Sequence, residues 1–175
     1  MLNLRSKTKW HWAQARHDGG GYRHGRRLHA AVSEPRRGPP GRVLAEDIFD
    51  DFLNAAKQRA GDQKLGNVAF IKGTETDPRL ADGTVDVVLA LDSYHHYDYP
   101  EKMLAAFVRS LRDGGRLVVV EYYKRPNAMP SMDAVKHIRL DEPDVVREIE
   151  RNGFRKVSER EHIKGSQYMV VFEKK

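Results

Sequence analysis

The densest chemistry in the chain lies in six consecutive residues, Asp92-Ser93-Tyr94-His95-His96-Tyr97. A carboxylate and two imidazoles so close together can take a proton from a bound molecule, as a general base does. Asp92, His95 and His96 are therefore the candidate catalytic residues, although a packed loop with hydrogen-bonded imidazoles would use the same residue types. A His pair also raises the question of a metal. Adjacent residues diverge on regular elements, and no His-x-x-x-His spacing accompanies the pair, so no metal is expected. A second set of polar residues follows two apolar runs. Asp47 ends the first run, where a carboxylate can accept both hydroxyl protons of a ribose-like diol; Asp is equally at home as a helix N-cap. Its neighbour Glu46 would point to the opposite face of a strand. Thr74, Glu75 and Asp77 follow the second run, and Asp77-Pro78 also reads as a plain turn. Tyr122, Tyr123 and His137 flank the region after a later apolar run and are candidates for substrate contact.

Elements that would position these residues can be read from residue 42 onward. Short apolar runs predict strands at 42–48, 67–71, 85–91 and 116–121. The run Val85-Asp-Val-Val-Leu-Ala-Leu91 is nearly continuous, as in strands buried on both faces. Phe52, Leu53, Ala56 and Ala60 share one face of a helix over 49–60. Pro100 can open a helix that carries Met103, Leu104, Phe107, Val108 and Leu111 inward and ends at Asp113-Gly-Gly115. A further helix over 142–152 turns Val145, Val146 and Ile149 inward and stops at Gly153. Strands at 154–160 and 167–173 are too close for a helical crossover and must pair antiparallel. The expected fold is α/β: a Rossmann-like, mostly parallel sheet with helices on both faces and a C-terminal antiparallel hairpin.

Composition separates the chain into two unlike parts. Of 175 residues, 31 are Lys or Arg and 25 are Asp or Glu, for a formal charge of +6. Residues 1–42 hold ten of the bases and two of the acids, which gives +8, and the remainder carries −2. The basic character belongs to the first quarter, so the net charge does not point to a nucleic-acid partner for the whole chain. Residues 1–37 read as a basic, irregular segment, disordered or translated out of frame, and 38–175 as one domain. Zero Cys excludes a disulfide framework, a Cys-ligated metal and a thiol nucleophile. No apolar run approaches the roughly 18 residues of a membrane span, and no signal-peptide core opens the chain, so a cytoplasmic address is expected.

Five segments, in this order and spacing, carry a resemblance. They are Gly38-Pro-Pro-Gly-Arg-Val-Leu-Ala-Glu-Asp-Ile48, Gly73-Thr-Glu-Thr-Asp-Pro78, Val85 to Tyr97, Leu111-Arg-Asp-Gly-Gly-Arg-Leu-Val-Val-Val-Glu121 and the Gly153-Phe154 junction. Over about residues 38–175 the chain resembles the class I S-adenosylmethionine-dependent methyltransferases. That resemblance implies S-adenosyl-L-methionine as cofactor and a small-molecule methyl acceptor as partner. It gives Asp47 the ribose, Ile48 the adenine face, and Thr74, Glu75 and Asp77 the adenine edge. Asp92 would lie by the methionine part, with His95 and His96 beside the acceptor. The implied chemistry is in-line attack on an already activated sulfonium methyl, in which positioning supplies most of the catalysis.

The glycine loop of that family should precede residue 42, but Ala15 to His29 shows a Gly run with no apolar strand leading into it. The first strand and the loop are expected to be missing or degraded, and cofactor binding to be weak. A frame shift of one nucleotide over roughly residues 9–36 is the expected cause. Across 15–28 the shifted codons permit Pro-Gly-Met-Thr-Val-Ala-Asp-Ile-Gly-Thr-Gly-Ala-Gly-Tyr, a strand followed by a glycine loop. The coding DNA tests this directly. Three alternatives stand beside the enzyme: a catalytically compromised remnant, a methyltransferase-like body with a basic nucleic-acid-binding arm, and a nicotinamide-dependent dehydrogenase. The closing hairpin argues against the last.

Overall fold

The computed structural model describes residues 29–32 and 41–175. The expectations placed on 1–28 and 33–40, including the Gly run, lie outside the described residues. Seven strands form one sheet: β1 (His29–Val32), β2 (Val43–Asp47), β3 (Val68–Lys72), β4 (Val85–Leu91), β5 (Leu111–Tyr122), β6 (Phe154–Ile163) and β7 (Gln167–Lys174). Their order is β3-β2-β1-β4-β5-β7-β6. Among the described residues four α-helices accompany them: α1 (Asp50–Asp62), α2 (Pro100–Ser110), α3 (Ala134–His137) and α4 (Glu142–Arg151). No described helix is long and apolar enough to cross a membrane.

The parallel pairs β2/β3 and β4/β5 put the ends of several strands at one edge of the sheet, and β7 pairs antiparallel with both β5 and β6. The closing hairpin thus forms as its short connection requires. One difference concerns the centre. A four-residue strand, β1, fills the slot expected to be empty, within the segment expected to be irregular. It runs antiparallel to both neighbours, pairing His29 with Glu46 and with Ala90. Flanked by two strands that each present unpaired backbone groups, this slot demands hydrogen-bonding partners whichever way the chain enters it.

A second difference concerns the end of α2. The helix stops at Ser110, and Leu111 already pairs with Val85 at the start of β5, so Asp113-Gly-Gly115 lies inside a strand irregularity and not in a helix-to-strand turn. Gly114 has φ +76, which relieves the backbone there. The core lies between the sheet and α2 and α4. Tyr94, Leu104, Phe107, Leu111, Leu117, Ile149, Phe154, Tyr168 and Phe172 are all fully buried in it. The inward faces expected for α2 and α4 supply Met103, Leu104, Phe107, Val145, Val146 and Ile149. A smaller cluster of Ala128, Met129, Ala134 and Ile138 packs against Tyr122 and Tyr123 and seats α3 beyond the end of β5.

Candidate active site

The carboxyl ends of β4 and β5 create the densest polar cluster among the described residues. Strand β4 ends at Leu91, and Asp92 takes a left-handed conformation, φ +50, which short polar side chains tolerate. Its N–H donates to the Val120 carbonyl at 2.8 Å, so the turn is tied to β5 as the chain leaves the sheet. A single 3-10 turn follows at Tyr94–His96. Tightness of that turn keeps the two adjacent imidazoles together: the rings of His95 and His96 lie 3.9 Å apart between centroids. The expectation that neighbouring residues diverge therefore does not apply here.

Two other elements complete the cluster. Glu121, near the end of β5 and 1% exposed, places Oε2 at 2.8 Å from His95 Nδ1. The His95 N–H donates to its other oxygen at 3.3 Å. From α3, 42 residues further along the chain than His95, His137 brings its ring to 5.0 Å from His95 and 5.3 Å from His96. One carboxylate locks both sides of this arrangement. Glu148 on α4 accepts from Tyr94 Oη at 2.7 Å and from both terminal nitrogens of Arg139 at 2.9 and 2.5 Å. Tyr94 adjoins His95 in sequence, and Arg139 is two residues beyond His137.

Electrostatics follow from burial. Desolvation, and then the charge of Glu121, push the Asp92 carboxyl up to about 6, while His95 opposes the shift. Its Oδ1 is buried with no hydrogen-bond partner among the described residues. Burial, followed by the nearby His95, lowers the pKa of the His137 imidazole.

The first polar set is placed differently. Asp47 is fully buried at the end of β2, and its Oδ1 accepts from the Phe49 N–H at 2.8 Å, which turns the chain into α1. The helix itself starts one residue later than Phe49, so Asp47 acts as a turn acceptor ahead of the cap. Ile48 is half-buried beside it. Glu46 is 1% exposed, and Gly73 makes room for it: a Cβ at Gly73 would stand 1.7 Å from Glu46 Oε1. Burial first, then the charges of Asp47 and Asp77, push the Glu46 carboxyl up to about 9. Thr74 to Asp77 form a closed loop in which the Thr74 hydroxyl accepts from the Asp77 N–H at 3.0 Å. Asp77 in turn accepts from the Arg79 N–H at 2.7 Å and from Arg109 at 3.3 Å, and Glu75 is exposed. The turn reading of Asp77-Pro78 describes these contacts. Tyr123 packs on Tyr168 and lies under Arg125, with Tyr122 beside it.

Glu121, Arg139 and Glu148 are the residues that the sequence reading did not single out. Glu121 had a visible signal, an acid closing the apolar run Leu117 to Val120. Arg139 and Glu148 had none, because their partner is set by tertiary packing alone.

Comparison with known proteins agrees with this architecture. A family model described as "Methyltransferase domain" matches residues 24–119, more than half of the chain. A ubiquinone/menaquinone biosynthesis C-methyltransferase from Ectopseudomonas mendocina is 32% identical over 93 residues, 53% of this chain and 36% of that protein. The chain thus spans about a third of the length of such curated relatives. Among solved structures, a SAM-dependent methyltransferase from Aquifex aeolicus superposes with a TM-score of 0.71 at 23% identity, over 77% of this chain and 70% of that one. The [4+2]-cyclase SpnF reaches 0.62 at 15% identity, over 75% and 66%. A likeness of fold that includes a cyclase does not name a reaction. The family match does name the lineage: the chain belongs to the class I S-adenosylmethionine-dependent methyltransferase family.

Proposed function

We propose that this chain is the catalytic domain of an S-adenosylmethionine-dependent methyltransferase acting on a small molecule with an ionisable hydroxyl, of the phenol or quinol class. One observation carries the reading: Asp92, His95, His96 and Glu121 converge beyond the carboxyl ends of β4 and β5, where open α/β sheets bind ligands. The curated relatives named for ubiquinone and menaquinone biosynthesis support the acceptor class.

The described residues fit the polar ends of the cofactor. Asp92 Oδ1 is a buried acceptor without a hydrogen-bond partner among the described residues at the end of β4, and Asp47 closes β2 at the same edge. In this reading Asp47 takes the ribose hydroxyls and Ile48 packs on the adenine. The loop of Thr74, Glu75 and Asp77 borders the base, and Asp92 faces the methionine portion. When bound, the cofactor supplies a sulfonium methyl that needs no further activation. The protein then has three tasks: to hold the acceptor in line, to exclude water, and to receive the acceptor's proton. His95 and His96 stand on the acceptor side, with His95 oriented by Glu121. Tyr122, the last residue of β5, and Tyr123 just after it border the acceptor.

The test is release of S-adenosylhomocysteine from S-adenosylmethionine in the presence of a panel of simple hydroquinones and phenols. Turnover with at least one acceptor, lost in Asp92→Asn, supports the reading. A chain that binds S-adenosylmethionine but methylates none of them overturns the acceptor class.

A further inference from the structure

We propose that His95, His96 and His137 form the three-imidazole site of a divalent transition-metal ion. The ion would sit on the acceptor side of the methyl-transfer site. One ring nitrogen from each of the three lies within 4.8 Å of the other two. Around a tetrahedral zinc with metal–nitrogen bonds near 2.0–2.1 Å, ligand nitrogens stand about 3.4 Å apart. Ring rotations would have to close that gap, across centroid separations of 3.9, 5.0 and 5.3 Å.

Glu121 gives the cluster the form of a metal site more than of a chance gathering of rings. Its carboxylate holds His95 Nδ1 at 2.8 Å, and the two side chains are 2% and 3% exposed. A carboxylate on Nδ1 fixes that nitrogen as the proton donor and makes Nε2 the nitrogen a metal would take, the usual outer-sphere arrangement for a ligating His. The second possible ligand set, Asp92, His95 and Glu121, shares His95 with the first. Its use of Glu121 as a direct ligand would give up the buried bond to Nδ1, so the imidazole set is the better one. The third imidazole has its own signature. His137 Nε2 is buried without a hydrogen-bond partner among the described residues, which costs free energy unless something binds it.

Both sides of the cluster are also held before any ion arrives. Glu148 grips Tyr94 next to His95 and Arg139 near His137, so little ordering remains to be done on binding. Nitrogen ligands without thiolate favour zinc, cobalt, nickel or iron over magnesium or calcium. Three protein ligands leave a coordination position open, as catalytic sites do. Resting on the proposed methyl transfer, that position would take the acceptor's hydroxyl oxygen and ease loss of its proton to solvent water. The acceptor then attacks the methyl carbon, and the carbon–sulfur bond breaks with both electrons going to sulfur.

Cobalt(II) is the probe, titrated into the full chain and followed by visible absorption and by hyperfine-shifted proton resonances. The expected result is one tightly bound ion per chain, with shifted ring protons from three imidazoles. His137→Ala and His96→Gln should each weaken binding at least ten-fold, and Glu121→Gln by ten- to a hundred-fold. His162→Ala and the triple change of His11, His17 and His24 to Ala should leave affinity unchanged. The proposal falls if no stoichiometric ion binds the wild-type chain, if His137→Ala binds as tightly, or if the triple variant abolishes binding. The functional reading fails separately: a bound ion with no methyl transfer to any hydroxylated acceptor would leave the site standing and remove its role. Full activity after chelation would remove that role while sparing the methyltransferase.

Discussion

Glu46 offers the sharpest physical test of the fold, because the sheet forces a carboxyl into its interior. It lies on β2 between Ile71 of β3 and His29 of β1, and it is 1% exposed. Desolvation, then the charges of Asp47 and Asp77, raise its pKa from 4.5 to about 9. The folded chain therefore keeps this proton at neutral pH, and the unfolded chain does not. For an acid with a raised folded pKa, the stabilising contribution is complete below pH 4.5 and is lost as pH climbs towards 9. Each pH unit inside that window removes about 1.4 kcal/mol. From pH 5 to pH 8 the loss is about 4 kcal/mol, a large share of the roughly 5–15 kcal/mol that holds a domain together.

Glu46→Gln isolates the effect, since the amide keeps the shape and cannot ionise. Urea unfolding of wild type and variant at pH 5, 6, 7 and 8 gives two stability curves. Subtracting one from the other cancels every other titrating group to first order. The wild-type minus variant difference should fall by about 4 kcal/mol across the series, following the linkage slope. A difference that stays constant to within about 1 kcal/mol would refute the reasoning, because it would mean that Glu46 ionises alike in both states.

Gly73→Ala should cost about 1–3 kcal/mol in urea melts, because its Cβ would stand 1.7 Å from Glu46 Oε1; the cost should largely vanish in a Glu46→Ala background. Arg139→Met breaks the paired bonds to Glu148, and a loss of about 2 kcal/mol or more is expected by chemical denaturation. Phe107→Ala, fully buried between the sheet and α2, should lose about 3–5 kcal/mol by the same assay. Replacing residues 15–28 by Pro-Gly-Met-Thr-Val-Ala-Asp-Ile-Gly-Thr-Gly-Ala-Gly-Tyr should raise S-adenosylmethionine affinity at least ten-fold by calorimetry; unchanged affinity would argue against the frame-shift account.

What could be read from residue order, and what could not, divides along a physical line. The inward faces of α2 and α4 were legible because Met103, Leu104 and Phe107, and Val145, Val146 and Ile149, repeat at the helical period. Antiparallel pairing of β6 with β7 followed from a connection too short for a crossover. Asp92, His95 and His96 stood out by type alone. Their relation to Glu121 and His137 did not, because it depends on how β4, β5 and α3 are stacked. The 3-10 turn at Tyr94–His96 is likewise a product of packing: Tyr94 is drawn into the core and its hydroxyl is fastened to Glu148. No local periodicity encodes a three-residue turn of that kind.

The centre of the sheet shows how strongly the rest of the domain specifies its own gap. Strands β2 and β4 are joined into one sheet through β1, which comes from the first quarter of the chain. The first quarter offers few apolar runs, and Ala30-Ala31-Val32 is one of them. It takes the slot antiparallel, with His29 rather than Val32 level with Glu46 and Ala90 near the carboxyl edge. In that direction the strand enters from the cofactor edge, whereas the family's glycine loop must leave a parallel strand at that same edge. The sheet keeps its order while β1 runs antiparallel to both neighbours. In the shifted-frame reading Val-Ala-Asp-Ile would instead occupy the slot in the parallel sense and deliver Gly-Thr-Gly-Ala-Gly to the cofactor. Sequencing the gene separates a damaged message from a protein that has lost its loop. If the shifted frame spells the loop, Asp47 and Asp92 regain the floor between them that the family's chemistry requires.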